Sequence, residues 1–285
     1  MKITALSDIH YPHNEQQVEE SLESMTDSDV VVIAGDISHD ITEYENVLRR
    51  FLKLSAKKLV VLGNHDLWTE KGKDSFKKMK KLHRICKRND FHLLDSGPLV
   101  IDGIGFVGNI GWYDYSFAQT KGDEEFVGIV PRKRKYMGRE KKVKDFEDKD
   151  FFEKLFVFRN NQHVYWNDRD YINWKYTDKE FLDLQLKKLE KHLRRIEKKC
   201  DKIVFVSHHV PIRDFIYEMP EDSKWGIFNA YQGSPELGNL TFSNPKLSAV
   251  ISGHSHIPNQ VFVNGVNCYD VSHELGFLKP TQLVV

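Results

Sequence analysis

The apolar stretch Leu59-Val60-Val61-Leu62 and the polar tetrapeptide Gly63-Asn64-His65-Asp66 that follows it decide the fold. The apolar residues predict a strand that is buried on both faces. The tetrapeptide places an amide, an imidazole and a carboxylate on the loop that leaves this strand. Open α/β sheets bind ligands at the carboxyl ends of their strands, so this loop is a candidate site. Asn-His pairs also occur in ordinary turns, and the rest of the chain has to decide between the two interpretations.

Two earlier strands end in the same way. A strand at the amino terminus leads into Asp8-Ile9-His10, where a carboxylate and an imidazole are one residue apart. The β-branched run Asp29–Ala34 predicts a second buried strand, and it leads into Gly35-Asp36. Helices are predicted between these strands, over Asn14–Met25 and Thr42–Ala56. Such a β-α-β-α-β unit has parallel strands, so its polar clusters should meet at one edge of a sheet, although each cluster alone also fits a capped turn.

The second half of the chain adds two more strands of this kind. Lys202–Val206 leads into Ser207-His208-His209, and Leu247–Ser252 leads into Gly253-His254-Ser255-His256. An amphipathic helix is predicted over Thr177–Lys199. Its basic residues suit nucleic acid, but interspersed glutamates favour a solvated face instead.

Two hairpins and an aromatic loop complete the regular pattern. Asp102-Gly103 and Asn264-Gly265 each predict a tight turn between two short strands. The first hairpin leads into the aromatic loop Gly108–Tyr115, in which Trp112 and Asp114 are candidate substrate-binding residues, as is His209 beyond it. An aromatic side chain there could stack a nucleotide base, and core packing is the alternative.

Residues 117–176 break the alternation of strands and helices. This segment contains a basic run, an acidic run and many aromatic residues, and it is too aromatic for a disordered linker. We predict a single domain over residues 1–285 that carries this segment as a helical or irregular insertion. The insertion folds over the body either as a lid on the active site or as a surface subdomain without a role in substrate choice.

Composition excludes several classes of protein. The 285 residues contain 42 lysines and arginines and 42 aspartates and glutamates, so the chain has no basic surplus for a long nucleic acid. Three cysteines without CxxC spacing predict neither a disulfide framework nor a thiolate zinc site. The sequence begins without the pattern of a signal peptide, and no apolar run is long enough to span a bilayer. We therefore expect a soluble, cytoplasmic protein that does not bind membranes.

Five predicted strands thus end in side chains that can bind metals. They are Asp8 with His10, Asp36, Asn64 with His65, His208, and His254 with His256. Oxygen and imidazole donors without a thiolate suit manganese, iron or zinc. A carboxylate can bridge two such ions, which together activate a water and neutralise a phosphoryl group.

At this point the sequence resembles the calcineurin-like metallophosphoesterase superfamily. The family's successive motifs D-x-H, G-D, G-N-H-D/E, H and G-H-x-H stand here at residues 8–10, 35–36, 63–66, 208 and 253–256. The resemblance implies a four-layer α/β/β/α sandwich of two mixed β-sheets. It covers the chain from the first strand to near the carboxyl terminus, except for residues 117–176.

The resemblance also implies a role for each residue of these motifs. It implies that Asp8, His10 and His256 hold one metal ion, that Asn64, His208 and His254 hold the other, and that Asp36 bridges them. His65 would contact the phosphate or protonate the leaving oxygen, with Asp66 orienting it. Of the adjacent histidines we prefer His208 to His209 as the ligand, because its position relative to Pro211 resembles the family's H-x-P-P pattern.

The expected function is metal-dependent hydrolysis of phosphate esters, either monoesters or diesters, by a hydroxide between two metal ions. The expected partner is a small phosphorylated molecule, for which a nucleotide is one candidate. A nuclease or a cyclic-nucleotide phosphodiesterase is the alternative among enzymes. A non-catalytic scaffold with the same fold is the alternative from another class, although a scaffold would be expected to have lost some of the ligands.

Overall fold

A computed structural model of the protein describes residues 1–118, 166–217, 228–273 and 277–285, together with the backbone of four short strands between residues 126 and 164. None of the helices in these ranges combines the length and the apolar composition that a bilayer-spanning segment needs. All three cysteines are free and buried.

The first sheet contains the three strands that the amino-terminal half predicts. Its order is β15-β1-β2-β3-β4, with β1 to β4 parallel and β15 antiparallel at the edge. The strands are β1 (Ile3–Leu6), β2 (Val30–Ala34), β3 (Lys57–Val61), β4 (Phe91–Leu93) and β15 (Thr281–Leu283).

The second sheet contains both predicted hairpins and the two histidine-bearing strands. Its order is β13-β14-β12-β11-β6-β5, with β5 and β13 antiparallel to their neighbours and the other strands parallel. The strands are β5 (Leu99–Ile101), β6 (Ile104–Asn109), β11 (Lys202–Ser207), β12 (Leu247–Ser252), β13 (Asn259–Val263) and β14 (Val266–Asp270). Both sheets are therefore mixed, as the family resemblance implies.

Alternate residues of the central strands belong to two different apolar layers. In β2, Val30 and Val32 lie with residues of both sheets, including Phe106 and Val204, in a core between the sheets. Val31 of the same strand belongs instead to the cluster that contains the helices' apolar faces. This alternation follows from the period of two along a strand. The result is the predicted arrangement of helices, sheet, sheet and helices.

The helices cover the outer faces of the two sheets. They are α1 (Glu15–Ser24), α2 (Ile41–Arg50), α3 (Asn64–Leu67), α4 (Ser75–Arg88), α5 (Asp168–Tyr171), α6 (Asp178–Ile196) and α7 (Pro235–Phe242). Helix α4 packs on β4 and α2, and α6 packs on β6. Helix α2 is shorter than predicted, because after a 3-10 turn at Phe51–Lys53 the backbone of Leu54 becomes extended and leads into β3.

The insertion, which the sequence predicted to be helical or irregular, includes the short helix α5 and also strands that were not predicted. It contains two antiparallel strand pairs, β7 (Phe126–Pro131) with β8 (Gly138–Val143) and β9 (Val157–Arg159) with β10 (Gln162–Val164). Val127, Ile129 and Val130 of β7 have the branched side chains that favour strands. The prediction of a lid concerns mainly residues outside those that the structure describes.

The last part of the insertion, residues 166–176, is described and lies against the first sheet's loops. The backbone N–H of Thr69 donates to the carbonyl of Tyr171 at 2.8 Å, and that of Ser75 donates to the carbonyl of Asn173 at 3.0 Å. These contacts place the end of the insertion beside α3, which begins with Asn64 and His65.

Candidate metal centre

Loops at the carboxyl ends of five strands converge on one point between the two sheets. Backbone hydrogen bonds join the loops within each sheet, from Asp8 to the carbonyl of Gly35 at 3.1 Å and from Gly253 to the carbonyl of His208 at 3.0 Å. The two sheets are joined where the backbone N–H of His254 donates to Oδ2 of Asp8 at 3.0 Å. The convergence that the sequence predicts for the first three clusters therefore extends to all five.

One group of side chains, Asp8, His10 and His256, borders the solvent, and we call it the open group. Oδ1 of Asp8 lies 3.7 Å from Nε2 of His10 and 3.5 Å from Nε2 of His256. The two imidazole nitrogens are 3.3 Å apart. The side chain of His256 is 37% exposed, whereas that of Asp8 is completely buried.

A second group, Asn64, His208 and His254, lies deeper, and we call it the buried group. Nε2 of His208 lies 3.0 Å from Oδ1 of Asn64 and 3.1 Å from Nδ1 of His254. All three residues are buried. Three donor atoms of the types that bind transition metals thus face a common point.

Asp36 lies between the two groups. Its Oδ2 is 3.4 Å from Nε2 of His208 in the buried group and 3.7 Å from Nε2 of His10 in the open group. Oδ2 of Asp36 and Oδ1 of Asp8 are both buried, and neither has a hydrogen-bond donor among the described residues. A buried carboxylate oxygen without a partner is costly, and a bound cation would satisfy it. The donor set therefore fits two metal ions that share Asp36.

Backbone carbonyls fix the orientation of three of the imidazoles. Nδ1 of His208 lies 2.8 Å from the carbonyl of Ala34, Nδ1 of His256 lies 3.0 Å from that of His273, and Nε2 of His254 lies 3.2 Å from that of Tyr231. In each case the nitrogen on the other side of the ring faces the centre. This outer contact is typical of metal-binding histidines, because it fixes the tautomer that leaves a lone pair for the ion.

The charges of the metal-free centre are strongly coupled. Burial favours the neutral form of Asp36, but His208, His65 and His10 outweigh burial and hold the pKa of Asp36 well below its usual range. Burial lowers the pKa of His208, but Asp36 and Asp8 outweigh burial and raise the pKa to about 10. Without metal, His208 therefore carries a proton that a metal ion must displace.

Five of the candidate ligands have a left-handed backbone conformation. Their φ angles are 55° at Asp8, 43° at His10, 54° at Asp36, 73° at His254 and 57° at His256. This region is unfavourable for residues with a Cβ atom and is enriched at functional sites, where the surrounding structure enforces it. No pattern in the sequence predicted it.

Two of the motif glycines provide the space that the ligands occupy. A Cβ atom at Gly63 would lie 2.0 Å from Oδ1 of Asp36, and one at Gly253 would lie 2.0 Å from Oγ of Ser7 and 2.8 Å from Oδ2 of Asp8. Any larger residue would displace a carboxylate of the centre. The glycines are therefore part of the site.

His65 lies beside the open group and faces a cavity. Its ring stacks on Trp68 with 3.7 Å between the ring centroids, and it contacts the ring of His10 edge-on at 4.6 Å. Nε2 of His65 is 3.9 Å from Oδ2 of Asp36, and the side chain is 29% exposed. Burial lowers the pKa of His65 to about 4 in the metal-free protein. The position is compatible with the catalytic role that the resemblance implies.

Asp66 does not support His65 in the way that the sequence suggested. Its carboxylate accepts hydrogen bonds from the backbone N–H groups of Gly63, Asp36, Ile37 and Ser38, at 2.8 to 3.1 Å. It therefore joins the loop after β2 to the loop after β3. Asp66 is completely buried, and its hydrogen bonds hold the two loops together, whereas none of those found among the described residues joins it to the imidazole of His65. A catalytic role for Asp66 stays a prediction.

The predicted substrate-binding residues Trp112, Asp114 and His209 do not face the cavity beside His65. Trp112 is completely buried, and its Nε1 donates to Asp178 at 2.7 Å. His209 is also completely buried, with Nδ1 3.0 Å from the carbonyl of Ile110. Asp114 accepts a hydrogen bond from Ser234 at 2.8 Å. The aromatic loop packs in the core, which was the alternative for Trp112.

The cavity beside the centre has a volume of about 460 Å³, within the range of small-molecule sites. Asn64, His65 and His256 form one wall, so the cavity opens directly onto the centre. The other described lining residues are aromatic, amide-bearing or otherwise uncharged. They are Trp68, Trp166, Asn167, Phe215, Tyr217, Phe228, Asn229, Gln232, Ser255 and Ile257.

One further residue at the site, Asp168, was not predicted from the sequence. Its buried carboxylate accepts a hydrogen bond from Nδ2 of Asn64 at 2.9 Å. The partners are 104 residues apart in the chain, and Asp168 belongs to the insertion. The only signal in the sequence was an acidic residue within an aromatic segment.

Comparisons with known proteins agree with this geometry. The architecture is that of the metallo-dependent phosphatases. The sequence model of the calcineurin-like phosphoesterase family matches residues 1–258, and the chain belongs to that family. Among curated proteins, none matches the sequence.

Solved structures show the same fold at low sequence identity. Phosphopantetheinyl hydrolase from Mycobacterium tuberculosis is 18% identical with a TM-score of 0.70, and the alignment covers 96% of this chain and 90% of that one. A dimetal phosphatase from Danio rerio is 12% identical with a TM-score of 0.52, and the alignment covers 97% of this chain and 88% of that one.

Proposed function

We propose that this protein hydrolyses phosphate esters with two metal ions bound at the strand-end centre. The observation that carries the proposal is the pair of buried carboxylate oxygens, on Asp8 and Asp36, that have no hydrogen-bond donor among the described residues. Each lies within 4 Å of imidazole nitrogens on two or more histidines. Membership of the calcineurin-like phosphoesterase family supports the same reaction class.

The open group would hold one ion, the buried group would hold the other, and Asp36 would contact both. When bound, two such ions supply an activated water and neutralise the charge of the phosphoryl oxygens. The ligands suit manganese, iron or zinc, because they combine imidazoles with oxygen donors and include no thiolate. Asn64 contributes a neutral oxygen, which leaves the centre more positive toward an anionic ester than a third carboxylate would.

In this proposal His65 would act on the leaving group. Stacking on Trp68 fixes the plane of its ring, and its partial exposure to the cavity leaves an edge available to a substrate. With its pKa lowered to about 4 in the metal-free protein, the imidazole is neutral near pH 7 and can donate a hydrogen bond from its N–H to a phosphoryl oxygen. Donation of a proton to the departing oxygen would require the negative charge of a bound phosphate to raise that pKa. The backbone N–H of His65 donates to Oδ1 of Asp36 at 2.9 Å, which ties the position of the residue to the centre.

The uncharged cavity walls favour a substrate with a flat or apolar organic group. Tyr217 and Ile257 are exposed at the cavity, and Trp166 and Phe228 are partly buried there. Oε1 of Gln232 is buried without a donor among the described residues, so it can accept a hydrogen bond from an N–H or O–H group of the substrate. A nucleotide, or a phosphodiester such as a cyclic nucleotide, that carries such a group is therefore the second candidate, beside a simple phosphomonoester.

The test combines metal analysis with a substrate panel. Metal-free protein is loaded with Mn²⁺, Fe²⁺ or Zn²⁺ and assayed on chromogenic phosphomonoesters and phosphodiesters, on nucleotides and cyclic nucleotides, and on a phosphopantetheinyl ester. The last substrate is included because one structural neighbour is described as a phosphopantetheinyl hydrolase. We expect two ions per chain and turnover of at least one ester class. Protein that binds metal but hydrolyses none of them would favour the scaffold alternative.

A further inference from the structure

The side chain of Asn64 can serve the buried group in only one of its two orientations. An asparagine carries a carbonyl oxygen on one side and an NH₂ group on the other, and only the oxygen can bind a cation. Oδ1 of Asn64 faces Nε2 of His208 at 3.0 Å, and Nδ2 faces away from the centre toward Asp168 at 2.9 Å. A residue that holds the NH₂ group of Asn64 in place therefore also keeps Oδ1 facing the buried group.

The carboxylate of Asp168 accepts four hydrogen bonds and donates none of those found among the described residues. Besides Asn64, it accepts hydrogen bonds from Nε1 of Trp68 at 2.6 Å, from Nε1 of Trp166 at 2.8 Å and from the hydroxyl of Tyr113 at 3.3 Å. Two bonds go to each oxygen, which uses the acceptor capacity of an ionised carboxylate. Such a group accepts the NH₂ side of Asn64 and repels its oxygen.

We propose that Asp168 is a positioning residue of the metal centre that holds Asn64 with its oxygen toward the buried group. The inference rests on the proposed function, because it concerns a metal that this function requires. The hydrogen bond from Nδ2 to Asp168 also polarises the amide of Asn64. This polarisation makes Oδ1 a stronger metal ligand. Through Asp168, the end of the insertion becomes a part of the metal site, although it supplies no ligand itself.

A purely structural role is the competing explanation. Asp168 is bonded to two tryptophans and a tyrosine, so it could simply anchor residues 166–176 to the body. The two roles make different predictions for metal binding. An anchor affects stability and leaves both metal affinities in place, whereas a positioning residue affects the affinity of one ion and acts only through Asn64.

The experiment measures Mn²⁺ binding to the full-length protein and its variants by calorimetry, with electron paramagnetic resonance to detect coupled pairs of ions. In D168N we expect one of the two affinities to fall by about 10- to 100-fold, the usual effect of removing an outer-sphere partner. The coupled signal should weaken with it. Tyr113→Phe, which removes a different hydrogen bond from the same carboxylate, and Asp170→Asn, on the same short helix, should leave both affinities unchanged.

Two further variants test whether the effect passes through Asn64. In N64A, adding D168N should cause no further loss of affinity, because the shared interaction is already absent. The exchanged pair N64D/D168N again offers an oxygen to the metal and an NH₂ group to its partner, so it should bind at least about tenfold more tightly than N64D alone. This second comparison remains available if D168N alone does not fold.

The outcomes separate this inference from the function on which it rests. If the wild-type protein binds no metal, the proposed function itself is wrong. If the wild-type protein binds two ions and D168N binds them equally well, only the proposed role of Asp168 is wrong. An exchanged pair that binds no better than N64D would also overturn it.

Discussion

The open and buried groups use the same kinds of side chains in different surroundings. In the open group the side chain of His256 is 37% exposed and the group borders a cavity, whereas His208 in the buried group is completely inaccessible. Each member of the buried group has an outer partner, in Asp168, the carbonyl of Ala34 and the carbonyl of Tyr231, and in the open group His256 has one in the carbonyl of His273. The difference teaches that one ion would be held among buried side chains and the other beside the partly exposed His256, although the cavity reaches both groups, through Asn64 and His256.

Asp36 tests whether the two groups form one centre. Asp36→Asn removes the charge that faces both groups, so we expect both ions to bind weakly and turnover to fall by about a thousandfold or more. Metal content after dialysis and turnover at saturating Mn²⁺ measure the two effects. Retention of one tightly bound ion would show that the groups act independently.

His65 tests whether catalysis on the open side can be separated from metal binding. His65→Ala should keep both ions and lose about 10²- to 10⁴-fold in turnover, the usual contribution of a general acid. Substrates with good leaving groups, such as nitrophenyl esters, should be affected less than alkyl esters if His65 protonates the leaving oxygen. Loss of an ion in this variant would mean that His65 is a ligand.

The contrast between the groups is tested directly by His254→Ala and His256→Ala. We expect each variant to lose affinity for one ion by about 10- to 100-fold or more. In wild-type protein, a chelator should remove one ion quickly, from the open group, and the other slowly. His256→Ala should abolish the fast phase and His254→Ala the slow one. Removal of both ions at one rate would contradict the distinction.

The proton on His208 predicts a pH dependence that metal abolishes. The pKa of His208 is raised to about 10 in the folded metal-free protein, compared with about 6.5 in the unfolded chain. The folded state therefore holds an extra proton between these values, so its stability is greatest below pH 6.5 and falls as pH rises toward 10. We expect a slope on the order of 1 kcal/mol per pH unit in urea unfolding.

The control is the same measurement of unfolding free energy against pH on metal-loaded protein. A bound ion replaces the proton on His208, so this contribution to the slope should disappear after loading. An equal slope with and without metal would show that the buried group is not where the ion binds.

The sequence predicted those parts of the fold that depend on residues close together in the chain, namely strands and tight turns. The apolar runs before Asp8, Asp36 and Asn64 predict parallel strands, and parallel strands bring their ends together without further information. The turns at Asp102-Gly103 and Asn264-Gly265 predict hairpins for the same reason, and the structure contains both. These features depend on neighbours in the chain.

The features that the sequence did not predict depend on distant partners. Asp168 acquires its role from Asn64, and Asp66 from the backbone of the preceding loop, neither of which leaves a periodic pattern. Trp112 and His209 could equally line a pocket or fill the core, because an aromatic ring suits both until its neighbours are known. The structure shows that both side chains are buried in the core.

The stacked rings beside the centre have an optical consequence. Trp68 lies between His65 and Tyr171, with centroid distances of 3.7 Å and 4.7 Å, and His65 in turn contacts His10. A charge that arrives beside an indole ring interacts with its π system. The fluorescence of Trp68 should therefore change when an ion or a phosphate reaches the centre. The chain would thus carry an intrinsic reporter that follows binding in real time, without a chromogenic substrate.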